Sequence, residues 1–203
     1  MTILTIDNCD RDRATIENLI TSIVLAFRAD PIVRWMYPTQ EQYFQNFPKF
    51  VKTFASKAFE HNTVFCTNDY AGGAFWFPPK IESETDAIVK LIQQTVSEPT
   101  QNEVFDLLEQ MDSFHPDESY WYLAILGVSP TQQNRGYGSI LLQQVLDNCD
   151  RHNQLAYLES SNPLNISFYQ KHGFKVIGKI QVGNSPTMFP MIRHPQIVNQ
   201  QIN

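Results

Sequence analysis

Apolar positions recur at helical spacing from Ala14 to Phe27, with Ile16, Leu19, Ile20, Ile23 and Phe27 on one face. That predicts a helix, stopped by Asp30-Pro31. A second stripe, Phe44, Phe47, Val51, Phe54 and Ala58, predicts another helix between Gln40 and Glu60. Alternation over Ile3 to Ile6 could open a sheet. Thr63 to Thr67 and Ala71 to Phe77 read as strands, with hairpin chemistry in Asn68-Asp69-Tyr70 and a stop at Pro78-Pro79. From Ile81 to Met111 the pattern turns helical again, and Val104, Leu107, Leu108 and Met111 share a face. The run Tyr120 to Val128 is apolar at nearly every position, as expected of a central strand buried on both faces.

The second half continues in this way. Gly138, Leu141, Leu142, Val145, Leu146 and Cys149 form a helical stripe, and Leu155 to Leu158 is a short strand. Asn162 is a good N-cap, Pro163 suits a first helical position, and Gly173 can end the helix in a left-handed conformation. Asn165 and Tyr169 then share a face, while Leu164 and Phe168 form a separate apolar pair. No repeat and no linker divides the chain, so a single domain is expected over residues 1–195. Its helical insertion falls at about 81–112, and a Gln- and Asn-rich tail over 196–203 is expected to fray.

With 14 Phe, 8 Tyr and 3 Trp there is ample material for a packed core. The formal charge of -6 comes with no run of Lys or Arg, which argues against a nucleic-acid binder and leaves cationic acceptors favoured over anionic ones. Cys9, Cys66 and Cys149 are widely spaced and outside any Cys-x-x-Cys pattern, so neither a disulfide framework nor a zinc site is expected. Cys149 reads as core. No leader and no membrane span is indicated, and a reduced cytoplasm is the expected compartment.

The chemistry concentrates where the apolar strand ends in VSPTQQNRGYG and runs into a helix. Without Cβ atoms at Gly136 and Gly138, backbone N–H groups can approach an anion that the helix dipole also favours, so a phosphate or pyrophosphate is the expected ligand. There is no third glycine for a dinucleotide fingerprint and no Gly-Lys-Ser/Thr for a nucleoside-triphosphate loop.

Gln133-Asn134-Arg135-Gly136-Tyr137-Gly138 resembles the Q/R-x-x-G-x-G/A signature of the GNAT N-acetyltransferase superfamily. The stretch from Asn162 to Phe174 resembles its second coenzyme A motif. The runs Phe75-Trp76-Phe77-Pro78-Pro79, His115-Pro116 and Trp121-Tyr122-Leu123-Ala124 resemble the puromycin-acetyltransferase-like branch. The resemblance implies an α/β fold of α+β type, with a mostly antiparallel twisted sheet, helices on both faces and a wedge between Tyr120–Val128 and Leu155–Leu158. It implies acetyl-CoA as co-substrate, with Leu126, Gly127 and Val128 along the pantetheine and Gln133, Asn134, Arg135, Gly136, Tyr137, Gly138 and Ser139 at the pyrophosphate. Asn165 would bond the pantetheine, and Tyr169 would act as general acid at the sulfur. The implied reaction is direct attack of a small-molecule primary amine, without metal, with backbone N–H groups of the splayed strand stabilising the oxyanion.

Glu159, at a strand end, is the first candidate for the base and His115 the second. Trp76, Trp121 and Tyr122 are candidates for an aromatic wall around the acceptor. A binding module without turnover and an enzyme acting on protein amines are the alternatives. A homodimer stays open.

Overall fold

A computed structural model describes residues 3–5 and 13–196. The first stripe forms α1 (Arg13–Ala26), after β1 (Ile3–Thr5). Asp30-Pro31 does more than stop a helix. Asp30 caps a short helix, α2 (Pro31–Met36), its Oδ1 accepting the Val33 N–H at 3.1 Å. Aspartate at the cap and proline at the first position are a start signal, and the expectation of a stop alone missed it. The second stripe is divided into α3 (Gln40–Phe54) and α4 (Ser56–Glu60). Thr39 and Gln42 form a reciprocal capping box ahead of α3.

β2 (Val64–Thr67) and β3 (Gly72–Phe77) form the expected hairpin. The segment after it folds as α5 (Thr85–Thr95) and α6 (Glu98–Ser113), followed by β4 (Tyr120–Val128), α7 (Tyr137–Arg151) and β5 (Leu155–Ser160). A 3₁₀ turn at Pro163–Asn165 precedes α8 (Ile166–Lys171). Two further strands, β6 (Lys175–Val176) and β7 (Phe189–Arg193), have no counterpart in the apolar pattern. They are short, one holds Pro190, and both take their identity from partners rather than from periodicity. Ile6, Cys9 and the tail from 197 lie outside the described residues.

The described strands form one sheet in the order β1-β2-β3-β4-β5-β7-β6. Every pairing is antiparallel except β4 with β5. This puts β4 at the centre, as its apolar run requires. One face packs α1, α3 and α5 over Leu19, Phe47, Ile92 and Phe75. The other packs α7 and α8 over Leu141, Leu142, Trp76 and Tyr169. At Gly127 a Cβ would come within 2.9 Å of Ile23 Cδ1, so the missing side chain lets α1 lie close against β4. Among the described residues no helix is long and apolar enough to cross a membrane.

Candidate active site

β4 and β5 pair from Tyr120↔Leu155 to Tyr122↔Tyr157, where their register ends. β4 runs on to Val128, held on its other edge by β3 through Gly72↔Val128. Between the partners of Phe75 and Trp76 the register skips Ala124, a bulge that adds local twist at the point of departure. The outcome is a wedge whose β4 edge is free for a ligand backbone, where a splay was expected.

At the β4 end of the wedge, Gly136 caps α7 at φ +84° with no side-chain cap, and open space where its Cβ would lie. Asn134 is also left-handed, at φ +60°. The first intrahelical bond runs from Ile140 N to Gly136 O at 3.1 Å, which leaves the N–H groups of Tyr137, Gly138 and Ser139 without helical acceptors. The turn therefore presents donors and a positive helix end in the form an anion needs. Gln133 ties the turn to the strand, its Nε2 donating to Val128 O at 3.1 Å, while Asn134 and Arg135 are exposed.

Gly138, expected to serve anion approach, has a packing role as well. It lies inside α7, and a Cβ there would sit 3.1 Å from Phe168 Cζ, so its small size seats α7 against α8.

On the other side of the wedge, Asn162 Oδ1 accepts the Leu164 N–H at 3.0 Å, and Gly173 ends the segment at φ +89°. Asn165 and Tyr169 reach one cavity, as their spacing required. Leu164, expected to form an apolar pair with Phe168, is 82% exposed. Burial first, and then the negative charge of Asp30, raise the Tyr169 phenol above its ordinary range, so it keeps its proton.

Glu159 and His115 are one unit. The Glu159 side chain is 2% exposed, and its Oε1 lies 3.2 Å from His115 Nε2. Its Oε2 accepts the Tyr122 hydroxyl at 2.8 Å. His115 stands among the rings of Tyr120, Tyr122 and Tyr157, and its Nδ1 lies 3.6 Å from Asp112 Oδ1. Burial pulls the imidazole pKa down, but the Glu159 hydrogen bond and charge, helped by Asp112 and Glu82, outweigh it and raise the value.

Two cavities meet here. The smaller, about 120 Å³, runs between β4 and the end of β5 and includes Leu126, Glu159, Ser161, Asn165 and Tyr169. The larger, about 460 Å³, opens between the sheet and α5–α6 and includes His115, Tyr120 and the carboxylates Glu82, Glu109 and Asp112. Phe54, Leu108, Met111 and Tyr122 line both. Of the expected aromatic wall only Tyr122 is present. Trp76 is fully buried in the core, and Trp121 Nε1 donates to Gln154 Oε1 at 3.1 Å away from the cavities. Tyr120, Phe54, Phe77 and Phe105 supply the wall instead. Cys149 is core as expected, and burial pushes its thiol up to about 12. Ser161, which lines the smaller cavity, and Asp30, which accepts its hydroxyl, were not singled out from sequence. The Asp-Pro start signal was the available clue to Asp30.

The raised His115 value fixes the sign of a pH effect. Its stabilisation is fully present below the unfolded value of about 6.5 and is lost as pH rises through the folded value. The melting temperature of the native protein should therefore fall between pH 6 and 9 by more than that of Glu159→Gln. Parallel profiles for the two proteins would show that the pair is uncoupled.

Comparison with known proteins agrees with this geometry. The Acetyltransferase (GNAT) family model matches residues 101–174, which span α6 to α8 and hold both sides of the wedge. An uncharacterised N-acetyltransferase of Schizosaccharomyces pombe is 26% identical over 194 residues, covering 86% of this chain and 78% of its own. Among solved structures, histone acetyltransferase HPA2 and related acetyltransferase from Corynebacterium glutamicum superposes with a TM-score of 0.66 at 18% identity, over 98% of each chain. Arylalkylamine N-acetyltransferase 2 from Aedes aegypti gives 0.64 at 13% identity, over 96% of this chain and 99% of its own. The chain has the GNAT fold, and it is an N-acetyltransferase of the GNAT type.

Proposed function

We propose that the protein transfers the acetyl group of acetyl-CoA to the primary amine of a small molecule by direct attack. The observation that carries this reading is the position of the Glu159–His115 pair at the junction of the two cavities. Glu159 lines the smaller and His115 the larger, with Tyr122 reaching into both. An ammonium acceptor must lose a proton before its nitrogen can attack, and a hydrogen-bonded carboxylate–imidazole pair can take that proton and pass it outward.

Acetyl-CoA supplies an activated acyl carbon when bound. Leu126, Gly127 and Val128, on the free edge of β4, and Asn165 would align its pantetheine arm. The N–H groups at the start of α7, with the turn from Gln133 to Ser139, would hold the pyrophosphate. Tyr169 holds a phenolic proton in the smaller cavity for the departing thiolate.

The larger cavity would receive the acceptor. Its volume suits a small molecule, for which about 300–1,000 Å³ is usual. Aromatic walls with Glu82, Glu109 and Asp112 at the rim, and neither Lys nor Arg among the lining residues, favour an amine on an apolar or aromatic body. The arylalkylamine acetyltransferase of like fold supports that preference. The Phe75-Trp76-Phe77-Pro78-Pro79 run resembles the puromycin-acetyltransferase-like branch, and that resemblance supports the branch within this reading.

Thiol release from acetyl-CoA, followed across a panel of arylalkyl amines, alkyl amines and peptides, tests the proposal. Turnover should be fastest with arylalkyl amines, and kcat/KM should rise with pH as the pair loses its proton. Glu159→Gln should lower kcat/KM at least tenfold while the acetyl-CoA Kd stays within about twofold. Native kcat/KM in Glu159→Gln would remove the pair from the chemistry, and preference for a peptide would move the acceptor to proteins.

A further inference from the structure

Asp30 is a carboxylate, 5% exposed, with no cation beside it among the described residues. Its Oδ1 accepts the Val33 N–H at 3.1 Å. Its Oδ2 accepts the Ser161 hydroxyl at 2.5 Å, across 131 residues of sequence. Capping α2 explains the first of these bonds and not the second. Ser161 is only partly buried and lines the smaller cavity with Glu159, Asn165 and Tyr169.

A serine hydroxyl has one proton to donate and two lone pairs to accept with, and an ionised carboxylate can only accept. We propose that Asp30 and Ser161 form a polarity lock. Asp30 takes the only proton Ser161 can donate, so the Ser161 oxygen presents lone pairs alone to the reaction cavity and receives an N–H from a bound substrate. Asp30 is a positioning residue that acts through Ser161.

The lock fits its surroundings. Tyr169, a protonated phenol, is a donor in the same cavity, while Glu159 already accepts from Tyr122 and faces His115. Of the hydroxyls that line the cavity, Ser160 donates to Asn162 O at 2.9 Å, and Tyr122 to Glu159. Ser161 and Tyr122 thus both give their proton to a buried carboxylate, and of the two Ser161 is the less buried. Two ligand groups have the matching chemistry, a secondary amide of the thioester's arm and the N–H of the attacking amine. The inference rests on the proposed acetyl transfer.

The test compares native protein, Ser161→Ala, Ser161→Thr, Asp30→Asn and the Ser161→Ala/Asp30→Asn double variant. Calorimetry gives the acetyl-CoA Kd, and steady-state rates give the amine KM and kcat. Ser161→Ala should weaken one ligand by about three- to tenfold, the scale of one neutral hydrogen bond. Asp30→Asn keeps Oδ1 to cap α2, but its amide can donate to Ser161 and so turn the serine proton into the cavity. Its loss should equal or exceed that of Ser161→Ala, and the double variant should be no worse than the poorer single. Ser161→Thr, which keeps the hydroxyl, should stay near native.

A raised Kd with unchanged amine KM assigns the N–H to the thioester arm, and the reverse assigns it to the amine. Native Kd and KM in Ser161→Ala, or additive losses in the double variant, would overturn the lock while leaving acetyl transfer intact. Failure of the native protein to bind acetyl-CoA would overturn both. If Asp30→Asn melts too low to assay, Ser161→Ala against Ser161→Thr still decides.

Discussion

Tyr169→Phe should acetylate its amine about 10² to 10⁴ times more slowly than the native protein, the range general-acid assistance covers. The substitution removes one oxygen and leaves the ring, whose edge contacts to Phe168 and Phe174 at 5.2 and 6.0 Å do not depend on the hydroxyl. Packing should survive, and the acetyl-CoA Kd should stay within a few-fold of native. The phenol is suited to the role because burial and the Asp30 charge keep it protonated across the working pH range. The same shift makes full ionisation costly, so in the proposed role the hydroxyl would share its proton with developing thiolate charge rather than stand as a tyrosinate. A donor with a more acidic leaving thiol needs less of that help, so the loss should shrink with such a thioester. Stopped-flow thiol release with both donors measures this. A native rate in Tyr169→Phe would make the residue a packing element and give the sulfur to another group.

The elements whose burial follows one period were legible in the sequence. β4 has the boundaries its apolar run required, and α7 shows the spacing of Leu141, Leu142, Val145, Leu146 and Cys149 in its buried set. The helical segment between Asn162 and Gly173, a 3₁₀ turn followed by α8, was legible from cap chemistry, because Asn162, Pro163 and Gly173 each perform a local task that does not depend on the rest of the fold. What sequence did not show was set across distance. β6 and β7 owe their conformation to pairing with each other and with β5. Trp76 and Trp121 look alike as wall candidates, yet sheet register turns the first into the core and the second toward Gln154. Glu159 and His115 were ranked as rivals because 44 residues separate them, and only the fold brings them to 3.2 Å. Their contact joins the two candidates for the base into one hydrogen-bonded pair. Asp30 and Ser161 escaped for the same reason, since neither has a local pattern that points to the other.

The largest expected loss of stability is at Arg193, which is 2% exposed near the far edge of the sheet. Its two terminal nitrogens meet both Asp150 carboxylate oxygens at 2.7 Å, and its Nε donates to His172 O at 2.8 Å. One side chain thus ties the end of α7, the end of α8 and β7 together. Burial would raise the Asp150 pKa, but the Arg193 hydrogen bonds, with the Gln196 N–H, outweigh it and lower the value. The pair's contribution is therefore present above the unfolded value of about 3.9 and is lost as pH falls through the folded value. Arg193→Ala leaves Asp150 enclosed without its cation, and breaking a buried pair in this way costs about 3–5 kcal/mol. For a chain of this size that lowers the melting temperature by roughly 6–20 °C. Arg193→Lys should recover little, because an ammonium cannot span both oxygens. Arg193→Met with Asp150→Leu should recover most of it, because no charge is then left buried. The loss should reach the candidate active site as well, since β7 pairs with β5 from Ala156↔Arg193 to Ser160↔Phe189 and so holds the strand that carries Glu159. Urea titrations of the three variants, with kcat measured well below each midpoint, separate the two effects. A single Arg193→Ala variant within 1 kcal/mol of native would show the fork to be an exposed pair in solution, and would free β5 from any dependence on it.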